Sequence, residues 1–123
     1  MASVRYLVHD VNAAIAFYRD SLGFTLRQQF GGAMAILERD GLTLWVAGPS
    51  ASAAKPMPDG RRPEPGGWNR FVLRVEALDE MVRLMKQKGS VFRSEMIEGP
   101  GGRQVLIDDP SGNPIELFEP ART

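Results

Sequence analysis

The sequence predicts an α+β protein made of two tandem copies of one β-α-β-β-β unit. The first sign is an internal echo. Gly112-Asn113-Pro114-Ile115-Glu116-Leu117-Phe118-Glu119-Pro120 repeats Gly41-Leu42-Thr43-Leu44-Trp45-Val46-Ala47-Gly48-Pro49 in its first Gly, its last Pro and its apolar alternation. The register extends backwards, with Ala35-Ile36 over Leu106-Ile107 and Glu38 over Asp109. The second sign is a pair of amphipathic segments, each closed by a glycine, Gly23 and Gly89. The third is the pattern C-terminal to each glycine, where short alternating runs are separated by glycine-rich turns.

Taken in order, Arg5–His9 reads as a strand with Tyr6 and Val8 on one face and Arg5 and Leu7 on the other. Asp10 is the expected N-cap of a helix striped by Val11, Ala14, Ile15, Tyr18 and Leu22, and Gly23 is its left-handed C-cap. Strands come next at about Thr25–Phe30, Ala33–Glu38 and Leu42–Ala47, turned by Gly31-Gly32 and Arg39-Asp40-Gly41. Residues 49–69 are a linker in which five prolines and three glycines oppose regular structure. It reads as a crossover between units, with a lid as the alternative. Trp68 at its end most simply anchors the core.

The second unit repeats the plan. Arg70–Val75 is a strand, and Leu78, Met81, Val82 and Met85 stripe a helix capped by Gly89, the methionines serving as core. Strands are expected at about Val91–Ile97, Arg103–Ile107 and Pro114–Phe118, the longer hairpin between the first two carrying Gly99-Pro100-Gly101-Gly102. Asp109-Pro110-Ser111-Gly112 turns the chain into the last strand. There Ile115 and Leu117 form an aliphatic face, and Glu116 and Phe118 the other. A carboxylate on an inward-facing strand side needs a partner, because burying it alone is costly.

At 123 residues, the chain is expected to form one domain, with unit one at about 1–48 and unit two at about 70–120. No cysteine is present, which excludes disulfides and thiolate chemistry and suits a cytoplasmic setting. Residues 1–5 lack the apolar core of a signal peptide, and no run is long enough to cross a membrane. Formal net charge is zero and the only adjacent basic pair is Arg61-Arg62, so neither nucleic acid nor membrane is an expected partner.

Val8-His9-Asp10-Val11, Ala14-Ile15-Ala16-Phe17-Tyr18, Leu22-Gly23-Phe24 and Asp109-Pro110-Ser111-Gly112-Asn113-Pro114-Ile115-Glu116-Leu117 together resemble the vicinal oxygen chelate superfamily. That group contains glyoxalase I, extradiol dioxygenases and the fosfomycin and bleomycin resistance proteins. The resemblance covers nearly the whole chain. It implies curved mixed sheets, each cupping a cavity, with helices outside, and a homodimer.

The resemblance also implies a divalent metal held by His and Glu from the first and last strands of both units. Counted from the matching motifs, those positions are Ser3, Trp45, Arg70 and Glu116, of which only Glu116 suits a metal; guanidinium has no lone pair to give. His9 falls at the far end of its strand, as a solvated residue. No metal or other cofactor is therefore expected. Glu116 reads as a carboxylate paired with Arg70 or Arg5 in preference to a catalytic base. The expected function is binding of a small organic molecule, in the manner of the drug-sequestering resistance proteins, with Arg5, Trp45, Trp68, Arg70 and Glu116 as the lining. Neutral charge argues against a strongly cationic drug of the bleomycin kind, for which an acidic groove is expected. The rival readings are a glyoxalase-like lyase or dioxygenase, either metal-dependent or using Glu116 as acid–base, and a pure interaction domain.

Overall fold

The first strand, β1 (Ser3–Leu7), starts and ends earlier than the alternation suggests. A computed structural model describes residues 2–122. β1 pairs in parallel from Ser3↔Thr43 to Leu7↔Ala47, and Val8 N–H still reaches Ala47 O at 2.9 Å. His9 has left the ladder; its N–H donates to Ser111 Oγ instead. The expected faces survive this correction, since Tyr6 and Val8 are buried.

Helix α1 (Val11–Leu22) begins where Asp10 accepts a hydrogen bond from Ala13 N–H at 3.1 Å, and ends at Gly23, whose φ of 71° is left-handed. All five stripe residues are buried. Strands β2 (Thr25–Phe30), β3 (Met34–Arg39) and β4 (Leu42–Ala47) complete a sheet of order β1-β4-β3-β2. A register shift between Leu26 and Gln28 bulges β2 at Arg27. Ala35, Leu37, Leu44 and Val46 are fully buried with the α1 stripe, and the Tyr18 ring meets Phe24 edge-on at 5.4 Å.

In the linker, one 3-10 turn (Ser52–Ala54) forms where the sequence is free of proline and glycine. A second local turn is closed by Met57 N–H to Arg61 O and by Asp59 accepting from Arg61 N–H.

The second unit opens with β5 (Val72–Arg74), only three residues long, although Glu116 N–H to Phe71 O and Val75 N–H to Phe118 O extend its pairing at both ends. Helix α2 (Leu78–Gln87) has no capping side chain of its own, because Ala77 stands at its N-cap. A remote residue supplies the acceptor: Glu119 Oε2 takes Leu78 N–H at 3.1 Å. Arg103 bridges that carboxylate to Asp79 in the first turn, at 2.5 and 3.1 Å. Gly89, with φ 80°, comes after the last turn as expected. Met85 is buried and Met81 half-buried.

The expected strand at 91–97 is two pieces, β6 (Val91–Phe92) and β7 (Ile97–Gly99), both paired to β8 (Gly102–Asp108). Arg93 N–H still bonds Leu106 O. On the return, Leu106 N–H finds Ser94 Oγ at 3.0 Å, so a side chain replaces the backbone acceptor and the ladder breaks. With β9 (Pro114–Pro120) the sheet has order β5-β9-β8-β6, β7 also lying on β8. In both units the first strand runs parallel to the last, so the repeat is topological as well as sequential.

These elements fall into two compact units. One is the chain up to Gly66 together with Pro110–Asn113, and the other is Gly67–Asp109 with the chain from Pro114 onward. In the first, buried Asn113 donates to Leu7 O at 2.6 Å and accepts from Gly66 N–H at 2.8 Å, tying the turn before β9 to the end of β1 and to the linker.

Candidate functional site

Alternation along β9 decides where the chemistry sits. Ile115 and Leu117 are fully buried on one face with Leu73, Val105 and Ile107. Glu116 points to the other face, flanked in register by Val72 on β5 and Leu106 on β8. Two apolar neighbours leave Glu116 dependent on residues outside its own register for a charged partner. Arg70, just before β5, provides one: Nη2 and Nε lie 2.8 and 3.1 Å from Glu116 Oε1. The pair is only partly desolvated, the two side chains being 28% and 12% exposed. Both nitrogens converge on one oxygen, so this is a pinch and not a two-oxygen fork. Of the two partners left open for Glu116 by the sequence, the structure selects Arg70.

Beside this pair lies a second one. Arg93 Nε donates to Asp108 Oδ1 at 2.6 Å and Nη1 to Gly67 O at 2.5 Å, which fixes the guanidinium plane. The guanidinium carbon lies over the Trp68 indole, 4.7 Å from the ring centroid. Trp68 O in turn receives Arg70 Nη1 at 3.4 Å. Trp68 is 68% exposed, so it is not the core anchor its position after the linker suggests. The prolines and glycines ahead of it keep the segment outside the sheet, and the available support is a polar guanidinium and not an apolar pocket. Trp68, Arg70 and Glu116 thus come together in the second unit, joined by Arg93 and Asp108, which sequence reasoning missed. Their signal was present in the alternation: Val91 lies opposite Asp108, and Arg93 is two residues further on, over the same face.

Arg5 and Trp45 form a separate pair in the first unit. They are register partners across β1 and β4, and the Arg5 guanidinium sits 4.9 Å from the Trp45 ring. Trp45 also faces Ile36 on β3. His9 is exposed, as expected for a strand-end residue. Hollows of about 370 and 490 Å³ lie elsewhere in the second unit, one beside Arg103 and Glu119, the other between α2 and the broken Phe92–Met96 edge. Neither is lined by Trp68, Arg70 or Glu116.

Residues 1–117 match the family model described as Glyoxalase/Bleomycin resistance protein/Dioxygenase superfamily. The chain belongs to this superfamily. A bleomycin resistance protein of Geobacillus stearothermophilus is 28% identical over 119 residues, spanning 91% of this chain and 90% of that one. Among solved structures, a lactoylglutathione lyase from Agrobacterium tumefaciens superposes with a TM-score of 0.74 at 22% identity, covering 97% of this chain and 92% of that one. TnmS3, an antibiotic binding protein from Streptomyces sp. CB03234, gives 0.67 at 23%, covering 98% and 97%. The superfamily fold therefore hosts both enzymes and binders, and the choice between them has to come from the site.

In superfamily terms, the positions expected to hold a metal are Ser3, Trp45, Arg70 and Glu116. Indole and guanidinium offer no lone pair, and Arg70 donates to the one carboxylate in the set. Among the described residues, no group of three or more His, Cys, Asp or Glu side chains is placed to hold a metal ion. Among the described residues, no helix is long and apolar enough to cross a membrane.

Proposed function

We propose that this chain binds and sequesters a small organic molecule without a metal. The observation that carries the reading is the Arg70–Glu116 pair, a cation and an anion in mutual contact at two of the positions where the sequence resemblance expects metal ligands. A guanidinium at a ligand position repels a divalent cation, and a carboxylate that accepts from it has fewer lone pairs to offer. What the open face provides is an exposed ring, two oriented ion pairs and apolar ground at Val72 and Leu106, the ingredients of an organic-molecule site. The names of the bleomycin resistance and antibiotic binding relatives favour the same side of the enzyme–binder divide.

The test has two parts. Elemental analysis of protein purified without chelators should find no stoichiometric zinc, nickel, manganese or iron; one equivalent of any of them would overturn the metal-free reading. Tryptophan fluorescence, which comes from Trp45 and Trp68, should be quenched saturably by small uncharged polycyclic aromatics, and Trp68→Phe should lower the affinity. The bound compound should be recovered unchanged by mass spectrometry. Turnover of it, lost in Glu116→Gln, would establish the acid–base enzyme instead.

The same reading includes a homodimer. Exposed Phe30 on β2, Val72 on β5 and Val91 and Ile97 on β6 and β7 all lie on edge strands, which need cover. Light scattering should return twice the chain mass, and a monomer at all concentrations would contradict it.

A further inference from the structure

The geometry of the ion pair points to the class of ligand the site takes, an inference that rests on the small-molecule reading above. Both hydrogen bonds from Arg70 to Glu116 end on Oε1. Among the described residues none donates to Oε2, and no buried side-chain oxygen is left without a partner, so the residual 12% exposure of this side chain includes Oε2. An ionised carboxylate can only accept, and here the protein donates twice to one oxygen while the other keeps contact with solvent. Close by, Trp68 rests one ring face on the Arg93 guanidinium, and the indole is 68% exposed. Its support, the Arg93 guanidinium, is held in place by Asp108 and Gly67. The ring and the open acceptor belong to one connected network, since Trp68 O bonds the same Arg70 that holds Glu116.

We propose that Glu116 Oε2 selects planar aromatic ligands that carry an N–H or O–H donor at the ring edge, the ring stacking on Trp68 and the donor bonding to Oε2. Neither half suffices. Stacking accepts any π-face, whereas a carboxylate oxygen desolvated by a ring that cannot donate loses its water without replacement.

Acridone and xanthone test this directly. They are near-isosteric tricyclic ketones that differ in an N–H against a ring oxygen, and both are uncharged. Fluorescence titration should show acridone binding roughly tenfold or more tighter than xanthone, the range expected for a hydrogen bond to a charged group. In Glu116→Ala the ratio should fall to near one, mainly through weaker acridone binding. Arg70→Met/Glu116→Leu, which replaces the pair by apolar side chains of similar size, should give the same ratio with the fold's packing kept. Equal affinities in the wild-type protein would overturn the donor rule while leaving the small-molecule reading intact. Tighter binding of acridine-9-carboxylate than of acridone would overturn it too. Failure of every aromatic probe to bind would remove both readings together.

Discussion

Deleting either member of the Arg70–Glu116 pair probes how the second unit holds charge on an open sheet face. At 2.8 Å, Coulomb attraction in a surface-like dielectric of about 20 is roughly 6 kcal/mol before desolvation and side-chain ordering are subtracted. Fully buried pairs lose about 3–5 kcal/mol when one member is removed, and exposed pairs are worth under about 1. With side chains 28% and 12% exposed, this pair belongs between those limits. Arg70→Ala and Glu116→Ala should each cost about 2 kcal/mol, and the double variant little more than either single. The coupling energy is then about 1.5 kcal/mol. Urea titrations of the four proteins at matched protein concentration measure it. In 1 M salt the coupling should shrink but persist, because partial burial limits screening. A coupling below about 0.3 kcal/mol, with small additive losses, would mean that the two side chains do not act on each other. The placement of the site on this face would then be refuted.

Three further outcomes are expected. Gly102 has φ 147°, and a Cβ there would collide with Glu119 O, whereas at Gly101 the nearest atom is Phe118 Cζ at 4.0 Å. Gly102→Ala should therefore cost more than about 3 kcal/mol or abolish folding, and Gly101→Ala should be close to neutral; equal effects in denaturant melts would contradict this. Asn113→Ala leaves Gly66 N–H and Leu7 O without their side-chain partner in a buried setting and should destabilise by about 2–3 kcal/mol, Asn113→Asp at least as much because it removes the donor. A loss under about 0.5 kcal/mol would show that water replaces the amide. The Glu119 carboxyl is pulled below its usual range, first by hydrogen bonds from Arg103 and then by Leu78 N–H. A carboxylate lowered in the folded state stabilises the fold above its unfolded-state range, and the contribution is lost as pH falls through the lowered folded value. Glu119→Gln should thus narrow its stability gap to wild type below about pH 4, and parallel acid limbs would contradict the assignment.

Local signals carried through where neighbouring residues decide the outcome. Asp10 and Gly23 bound α1 because a cap acts on amides within one turn and a left-handed φ is a property of one residue. Alternation of Ile115 and Leu117 against Glu116 assigned the faces of β9, since a strand offers only two. Counting from the motifs of the superfamily resemblance placed Arg70 and Glu116 on the first and last strands of one unit, and that counting anticipated their contact. It did not anticipate their two-on-one geometry, which depends on where Arg70 lies relative to Val72, the residue in register with Glu116.

What only the tertiary structure decided are contacts between residues far apart in the chain. Glu119 caps α2 because β9 runs beside the start of that helix; Ala77 by itself promises an uncapped end. Ser94 breaks a strand that apolar pattern favours, because its hydroxyl outcompetes a backbone carbonyl for Leu106 N–H. Trp68 was legible as a large apolar residue but not as an exposed one. Its place is set by the guanidinium of Arg93, held in turn by Asp108 across a β hairpin. Composition and periodicity report how a residue suits water or a core, whereas these positions depend on which polar groups the folded sheet brings within about 3 Å of one another.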